Sequence, residues 1–336
     1  MAGLLVLEAG LRIGEARDPA RPLEVRAWRP ERPPEVTGPC DRQREQARLL
    51  DLLRPAPEDP GVVYRLQTGL DTCFAGARVT TNSLGLRSER ELAVPKAPGS
   101  YRVAVLGDSQ VFGMGVETGE TLPAALEELL GSRASPSKVE VINAGVPGYN
   151  AYQEAALLAA AGESWEPDCV LMLFTANDLG VPNFLMRPRP RPSFWSSRLW
   201  AALRAATGSK RWWIWTEDRL RDWVTEVDLE RVPAEYRPMV GEPGYRAALE
   251  ILARWTGDRG VAAVNVASYD RPRLRRLFEE WNRELGITHL PFTWPRAREL
   301  QIASDDPHPN AAGHRVMARR LVRALLDRGV CQLDVE

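Results

Sequence analysis

From Tyr101 onward, short apolar runs alternate with longer amphipathic stretches. Apolar runs of about four to eight residues, undiluted by alternating polar positions, belong to strands covered on both faces. Helical stretches between them imply βαβ crossovers and a parallel sheet. The predicted strands are Arg102–Leu106, Val139–Asn143, Cys169–Phe174, Val261–Ala267 and Thr288–Phe292. Helices are predicted over TLPAALEELL, with Thr121 as N-cap, and over NAYQEAALLAAA, with Asn150 as N-cap. Three more are GYRAALEILARW, RLRRLFEEWNRELG closed by Gly286, and PNAAGHRVMARRLVRALLDRG closed at Gly329. The pattern is that of an α/β fold.

Two regions break the pattern. Residues 1–100 are rich in proline and arginine, with RPERPP and LLRPAPEDP, and read as an extension that wraps a core. The connection between the third and fourth strands is too long for one crossover. Its residues 183–243 hold RPRPRPSFW and RWWIWTEDRLRDW, and six of the eleven tryptophans fall between Trp195 and Trp223. If that stretch is helical, Trp212, Trp215 and Trp223 share a narrow arc. The expectations are a small helical cap on the sheet edge, or a lid over an acyl or sugar pocket, or a membrane-facing patch. Arg187, Arg189, Arg191 and Arg198 would suit a phospholipid surface or an anionic glycan, although a charge run is usually only solvated.

Composition narrows the classes. Hydrophobic residues make up 44% and charged residues 26%, as in a globular protein. Lys+Arg 44 against Asp+Glu 45 gives a net charge of −1, so no nucleic-acid partner is expected. Cys40, Cys73, Cys169 and Cys331 show no C-x-x-C spacing, and no metal site is expected. Cys169 opens an apolar run and reads as a buried thiol. A Cys40–Cys73 disulfide is conceivable only in an oxidising compartment. The apolar start MAGLLVLEAGLRIGEAR is too short to span a bilayer and lacks signal-peptide features.

The candidate chemistry lies after the strands, where open parallel sheets bind ligands. Gly107-Asp108-Ser109 follows the first strand, NAGVPGYN the second, TANDLG the third and SDDPHPNAAGH the last. These are the parts of acyl transfer. A serine hydroxyl needs a base, and histidine is the usual one near neutral pH. Of the three histidines, His289 lies in or beside a strand and His314 within the last helix, both structural in this reading. His308, in the final loop, is the candidate base for Ser109. Asp305, three residues earlier, is the carboxylate that best fits the spacing to orient it, with Asp306 as its competitor. The backbone N–H groups of Ser109 and Gly148 and the amide of Asn177 are the natural oxyanion donors. Taken singly, each is an ordinary turn or cap; placed together after strands of one sheet, they point to catalysis.

The blocks GDSQVFGMG, NAGVPGYN, TAND and DDPHPNAAGH resemble those of the SGNH hydrolases, the GDSL esterase/lipase superfamily. The resemblance runs over residues 101–329, interrupted by 183–243. It implies a flavodoxin-like three-layer α/β/α sandwich around a parallel sheet of about five strands. It also implies a Ser109, Asp305 and His308 triad, an oxyanion hole of Ser109, Gly148 and Asn177, and no cofactor. Asp108 and Asp178 would be supporting carboxylates, Asp108 holding the nucleophile loop. One departure stands out: the third block usually reads G-x-N-D, and here Thr175 replaces the glycine. TTNSLGLR, Thr80–Arg87, resembles a segment that precedes the core in one extracytoplasmic branch. LEAGLRI resembles the end of the anchor helix found in that branch, so an extracytoplasmic or membrane-anchored location is one expectation and a soluble cytoplasmic one the other.

The expected activity is hydrolysis of an acetyl or other acyl ester of a carbohydrate or lipid. The alternatives are an O-acyltransferase that moves acetyl onto a polysaccharide, and a glycan-binding relative without turnover.

Overall fold

A computed structural model describes residues 27–28, 40, 46–132, 138–187, 212–215, 232, 234–267, 272–295, 297–303 and 306–332. Five strands form one sheet: β1 (Ser100–Gly107), β2 (Lys138–Gly145), β3 (Cys169–Phe174), β4 (Ala262–Ala267) and β5 (Thr288–Pro291). All neighbours pair in parallel, in the order β5-β4-β3-β1-β2. The helices are α1 (Ser109–Phe112), α2 (Leu122–Gly131), α3 (Ala151–Ala161), α4 (Gly241–Gly257), α5 (Pro272–Glu284) and α6 (Ala311–Asp327).

The strand period of two sorts side chains into two cores. Val103 and Val105 of β1 join Leu126 of α2 and Leu321 of α6. Ala104 and Leu106 turn the other way and join Leu158 of α3 and Leu249 of α4. The fold is therefore a three-layer α/β/α arrangement, with the apolar runs explained by burial on both faces. The predicted caps act as such: Thr121 Oγ1 accepts from Ala124 N at 3.4 Å, and Asn150 Oδ1 from Gln153 N at 3.0 Å.

From β1 the chain moves outward to β2 and then returns to place β3 on the other side of β1. The loops after β1 and β3 therefore part in opposite directions and leave a crevice at their carboxyl ends, where ligands bind in such sheets.

Ahead of the sheet, Leu53–Ala56 pairs antiparallel with Val63–Leu66, and Asp71–Phe74 with Ala77–Thr80. Leu52, Tyr64 and Val79 of this region are buried in the same core as α3 and α4. In the long insertion, the helical reading of the tryptophan stretch is corrected. Trp212–Trp215 is a strand, paired antiparallel with Leu185–Arg187 on one side and Ala27–Trp28 on the other. Its sequence, Trp-Trp-Ile-Trp, is made of aromatic and β-branched residues that favour strands over helices. Trp223, Arg189, Arg191 and Arg198 lie outside the described residues. No helix among the described residues is long and apolar enough to cross a membrane.

Cys40 and Cys73 form a disulfide, with Cα atoms 5.4 Å apart. Cys169 is not a thiol: it is bonded to Cys331, again with Cα atoms 5.4 Å apart. Cys169 opens β3, and Cys331 lies in the turn after α6, so the bond ties a central strand to the end of the last helix. The partner is invisible in the sequence because 162 residues separate the two. Denatured, unreduced protein should show no free thiol on titration with a chromogenic disulfide. Cys331→Ser should cost about 2–4 kcal/mol of stability, read as a lower midpoint in denaturant unfolding.

Candidate active site

The loop after β1 turns sharply into a single helical turn. Asp108 Oδ1 accepts the Gln110 N–H at 2.9 Å and so caps α1, whose first residue is Ser109. Gly113 closes the turn in the left-handed region, at φ 84°. The turn lies directly on the end of β2: a Cβ on Gly145 would fall 2.2 Å from Phe112 N. From below, the buried Arg87 donates to the Phe112 carbonyl at 2.7 Å and to the carbonyls of Gly113 and Val116. The TTNSLGLR segment thus has a physical task, tying the carbonyls at the end of the serine turn to one guanidinium.

The final loop brings His308 to the same place. Asp306–Pro309 pairs antiparallel with Gln301–Ala303, and Asn310 fixes the junction with α6. Its Oδ1 accepts from Gly313 N at 3.0 Å, and its Nδ2 donates to Glu299 O and Gln301 O at 2.9 and 3.0 Å. Sequence reasoning missed Asn310, although its place before a helical run is a cap signal. His308 Nε2 lies 2.9 Å from Ser109 Oγ. Its Nδ1 lies 2.5 Å from Asp306 Oδ1, which also accepts the His308 backbone N–H at 3.0 Å. Among the described residues, the carboxylate on the imidazole is that of Asp306; Asp305 lies outside them. The other histidines sit apart. His289 is in β5, its pKa lowered by burial. His314 is buried in α6, and burial, then Arg87 and His308, draws it down to about 3, so it is neutral.

The remaining candidates sit after β2 and β3. Gly148 adopts φ +79°, and a Cβ there would fall 2.4 Å from Asn183 Nδ2. The glycine is thus required by backbone conformation and by its neighbour, not only by access to its N–H. Asn177 lies in a helical turn over Ala176–Leu179, and its Nδ2 donates to Tyr149 O at 3.2 Å. The Thr175 hydroxyl lies 3.1 Å from Asp108 Oδ2 and also bonds Asn177 Oδ1. The Thr175 backbone N–H donates to Asp178 Oδ2. Ser109, Gly148, Asn177 and His308 are thus gathered along one edge of the sheet.

Behind that edge lies a cluster the sequence did not reveal. Asp108, Glu154 of α3 and Asp178 are all at most 2% exposed. Among the described residues, both oxygens of Glu154 and Oδ1 of Asp178 meet no donor. Burial, then the Asp178 and Asp108 carboxylates, pushes Glu154 well above the ordinary range. Burial, then Asp108, does the same to Asp178. Burial and the neighbouring carboxylates thus favour the protonated form of both groups. The available signal was a glutamate inside a helix otherwise made largely of alanine and leucine.

The fold is α/β in three layers, and the family to which the chain belongs is one of ester-hydrolysing enzymes. The chain belongs to the GDSL-like Lipase/Acylhydrolase family, whose pattern matches residues 105–316. Its fold is similar to that of a lipolytic protein of the G-D-S-L family from Desulfitobacterium hafniense DCB-2, at 14% identity over 67% of this chain and 100% of that one, with a TM-score of 0.41. It is also similar to the psychrotrophic esterase EstA from Pseudoalteromonas sp., at 14% identity over 68% and 98% of the two chains, TM-score 0.43. A lipase/acylhydrolase from Enterococcus faecalis shares 16% identity over 68% and 96%, TM-score 0.40. No curated protein matches the chain.

The raised pair has a consequence for stability. Both carboxyls are raised in the folded state, so above about pH 4, where free carboxyls ionise, the folded protein holds more protons than the unfolded chain. Stability therefore falls as pH rises from there, by about 1.4 kcal/mol per pH unit per proton, until the folded group itself ionises. Glu154→Gln keeps the shape without the titration. Urea unfolding of the two proteins between about pH 5 and 8 should show the wild type losing stability relative to the variant as pH rises.

Proposed function

We propose that the chain hydrolyses an acetyl or other acyl ester of a carbohydrate or lipid through an acyl-enzyme on Ser109. The single observation that carries this reading is the 2.9 Å contact between His308 Nε2 and Ser109 Oγ. It spans the two ends of the hydrolase segment, and a turn serine in a merely structural role has no need of an imidazole on its hydroxyl.

In this mechanism neutral His308 takes the hydroxyl proton as Oγ attacks the ester carbonyl carbon. The carbonyl oxygen becomes an oxyanion and is met by the N–H groups of Ser109 and Gly148 and by Asn177 Nδ2. Collapse breaks the bond to the alcohol, which leaves with the proton from His308. Water then attacks the acyl-enzyme through the same base, releasing the acid and restoring Ser109. The carboxylate on Nδ1 holds the imidazole tautomer and steadies its positive form. The geometry favours Asp306 for that task, and Asp305 is the candidate that sequence spacing favours. An O-acyltransferase would use the same steps with a sugar hydroxyl in place of water. The two disulfides support a compartment where such bonds persist, outside the reducing cytosol.

Turnover of p-nitrophenyl acetate tests the reading. Ser109→Ala and His308→Ala should each remove nearly all activity, because such groups act as a unit. Wild-type turnover by Ser109→Ala would end the assignment. Asn177→Ala should slow turnover by about 10²–10³ with folding intact by circular dichroism. Asp305→Ala and Asp306→Ala, compared side by side, identify the orienting carboxylate as the one whose loss costs more.

A further inference from the structure

The departure of this chain from the family's third block falls at a structurally informative position. Where the block usually carries a glycine, Thr175 places a hydroxyl between two loops that belong to different strands. It is buried at the end of β3, and its hydroxyl oxygen lies 3.1 Å from Asp108 Oδ2, on the residue immediately before Ser109. The same hydroxyl bonds Asn177 Oδ1. One proton is thus shared between two acceptors, a three-centre arrangement.

We infer that Thr175 is a positioning residue: its hydroxyl fixes the Asn177 amide relative to the Ser109 turn across the crevice between β1 and β3. The inference rests on Asn177 serving as an oxyanion donor. An amide can face either way, and two contacts decide here. The Tyr149 carbonyl requires a donor and takes Nδ2 at 3.2 Å. The Thr175 hydroxyl then satisfies Oδ1. Nδ2 keeps its second N–H for the developing oxyanion, and the amide cannot swing without breaking both bonds. On the other side, Asp108 has one oxygen on Gln110 N and the other on Thr175. The carboxylate that caps the serine helix and the amide that meets the oxyanion therefore share one hydroxyl. A glycine at 175 leaves these two loops unconnected by any side chain at that position.

The contact acts on the transition state, because the oxyanion and not the bound ester depends on the amide. The test is the kcat and KM for p-nitrophenyl acetate of Thr175→Val, Thr175→Ser and Ser109→Ala, with thermal unfolding of each. Thr175→Val should lower kcat by about 10-fold to 100-fold with KM within about twofold. Thr175→Ser keeps the hydroxyl and should stay within about threefold of wild type. Should Thr175→Val fail to fold, Thr175→Gly is read by the same criterion. A wild-type kcat in the hydroxyl-free variant, or a serine variant as slow as the valine one, overturns the inference. Full turnover by Ser109→Ala would instead sink the hydrolase reading, so the two failures are distinguishable.

Discussion

The hydrogen bond between Ser109 and His308 joins residues 199 apart in the chain, and no local structure holds it together. Each partner is fixed on its own side. The serine is placed by the Asp108 cap, by the bare Gly145 that lets α1 rest on β2, and by Arg87 beneath the turn. The imidazole is placed by Asp306 and by Asn310, which ties the start of α6 to the strand before it. The two meet because the sheet order brings the end of β1 and the final loop to one edge. In the proposed reaction, groups held this way reach each other without paying for the search during each turnover.

The charge behind the site obeys a second constraint. In the proposed mechanism an oxyanion forms in front of the β3 loop, and negative charge behind it would oppose that step. Three carboxyl groups are buried there, and the structure handles them differently. Asp108 has donors on both oxygens. Glu154 and Asp178 have too few among the described residues, and burial with their neighbouring carboxylates favours the protonated form of each. A protonated carboxyl there lowers the negative charge facing the proposed reaction without bringing a cation into the core, where desolvation would be costly.

Much of this is legible in the chain, for definite reasons. Strands buried on both faces leave unbroken apolar runs, so β1 to β5 can be drawn within a residue or two. The candidate residues Ser109, Gly148 and Asn177 come soon after those runs, and His308 lies in the loop beyond the last of them. What stays hidden depends on contacts across the chain. Asp305 and Asp306 are adjacent, and spacing alone cannot say which carboxylate meets the imidazole. Cys169 looks like a core thiol because its partner lies beyond the last helix. A helical wheel gathers Trp212 and Trp215 with Trp223 on one arc, which suggests a helix. Yet three of the four residues in Trp212–Trp215 are aromatic and the fourth is β-branched, a composition that suits a strand. Glu154 stands out in its alanine- and leucine-rich helix, but its neighbouring acid cannot be named locally, since it comes from the loop after another strand.

The region before the sheet shows why composition understates it. Proline and arginine make residues 1–100 look like a loose wrapping, but the hairpin over Leu53–Leu66 is bonded to the loop that carries Gly148. Tyr64 O–H donates to Pro147 O at 3.4 Å, and Tyr149 O–H donates back to Tyr64 O. Gln153 Nε2 donates to Val62 O at 2.8 Å, and the Tyr64 and Tyr149 rings meet edge-on with centroids 5.1 Å apart. These atoms are buried, so without the hairpin their polar groups would lose their partners, a cost of about 1–3 kcal/mol each. With Arg87 under the serine turn, the same region supports two of the loops that build the crevice. The sheet sets the direction of those loops, and the segment ahead of it holds their conformation.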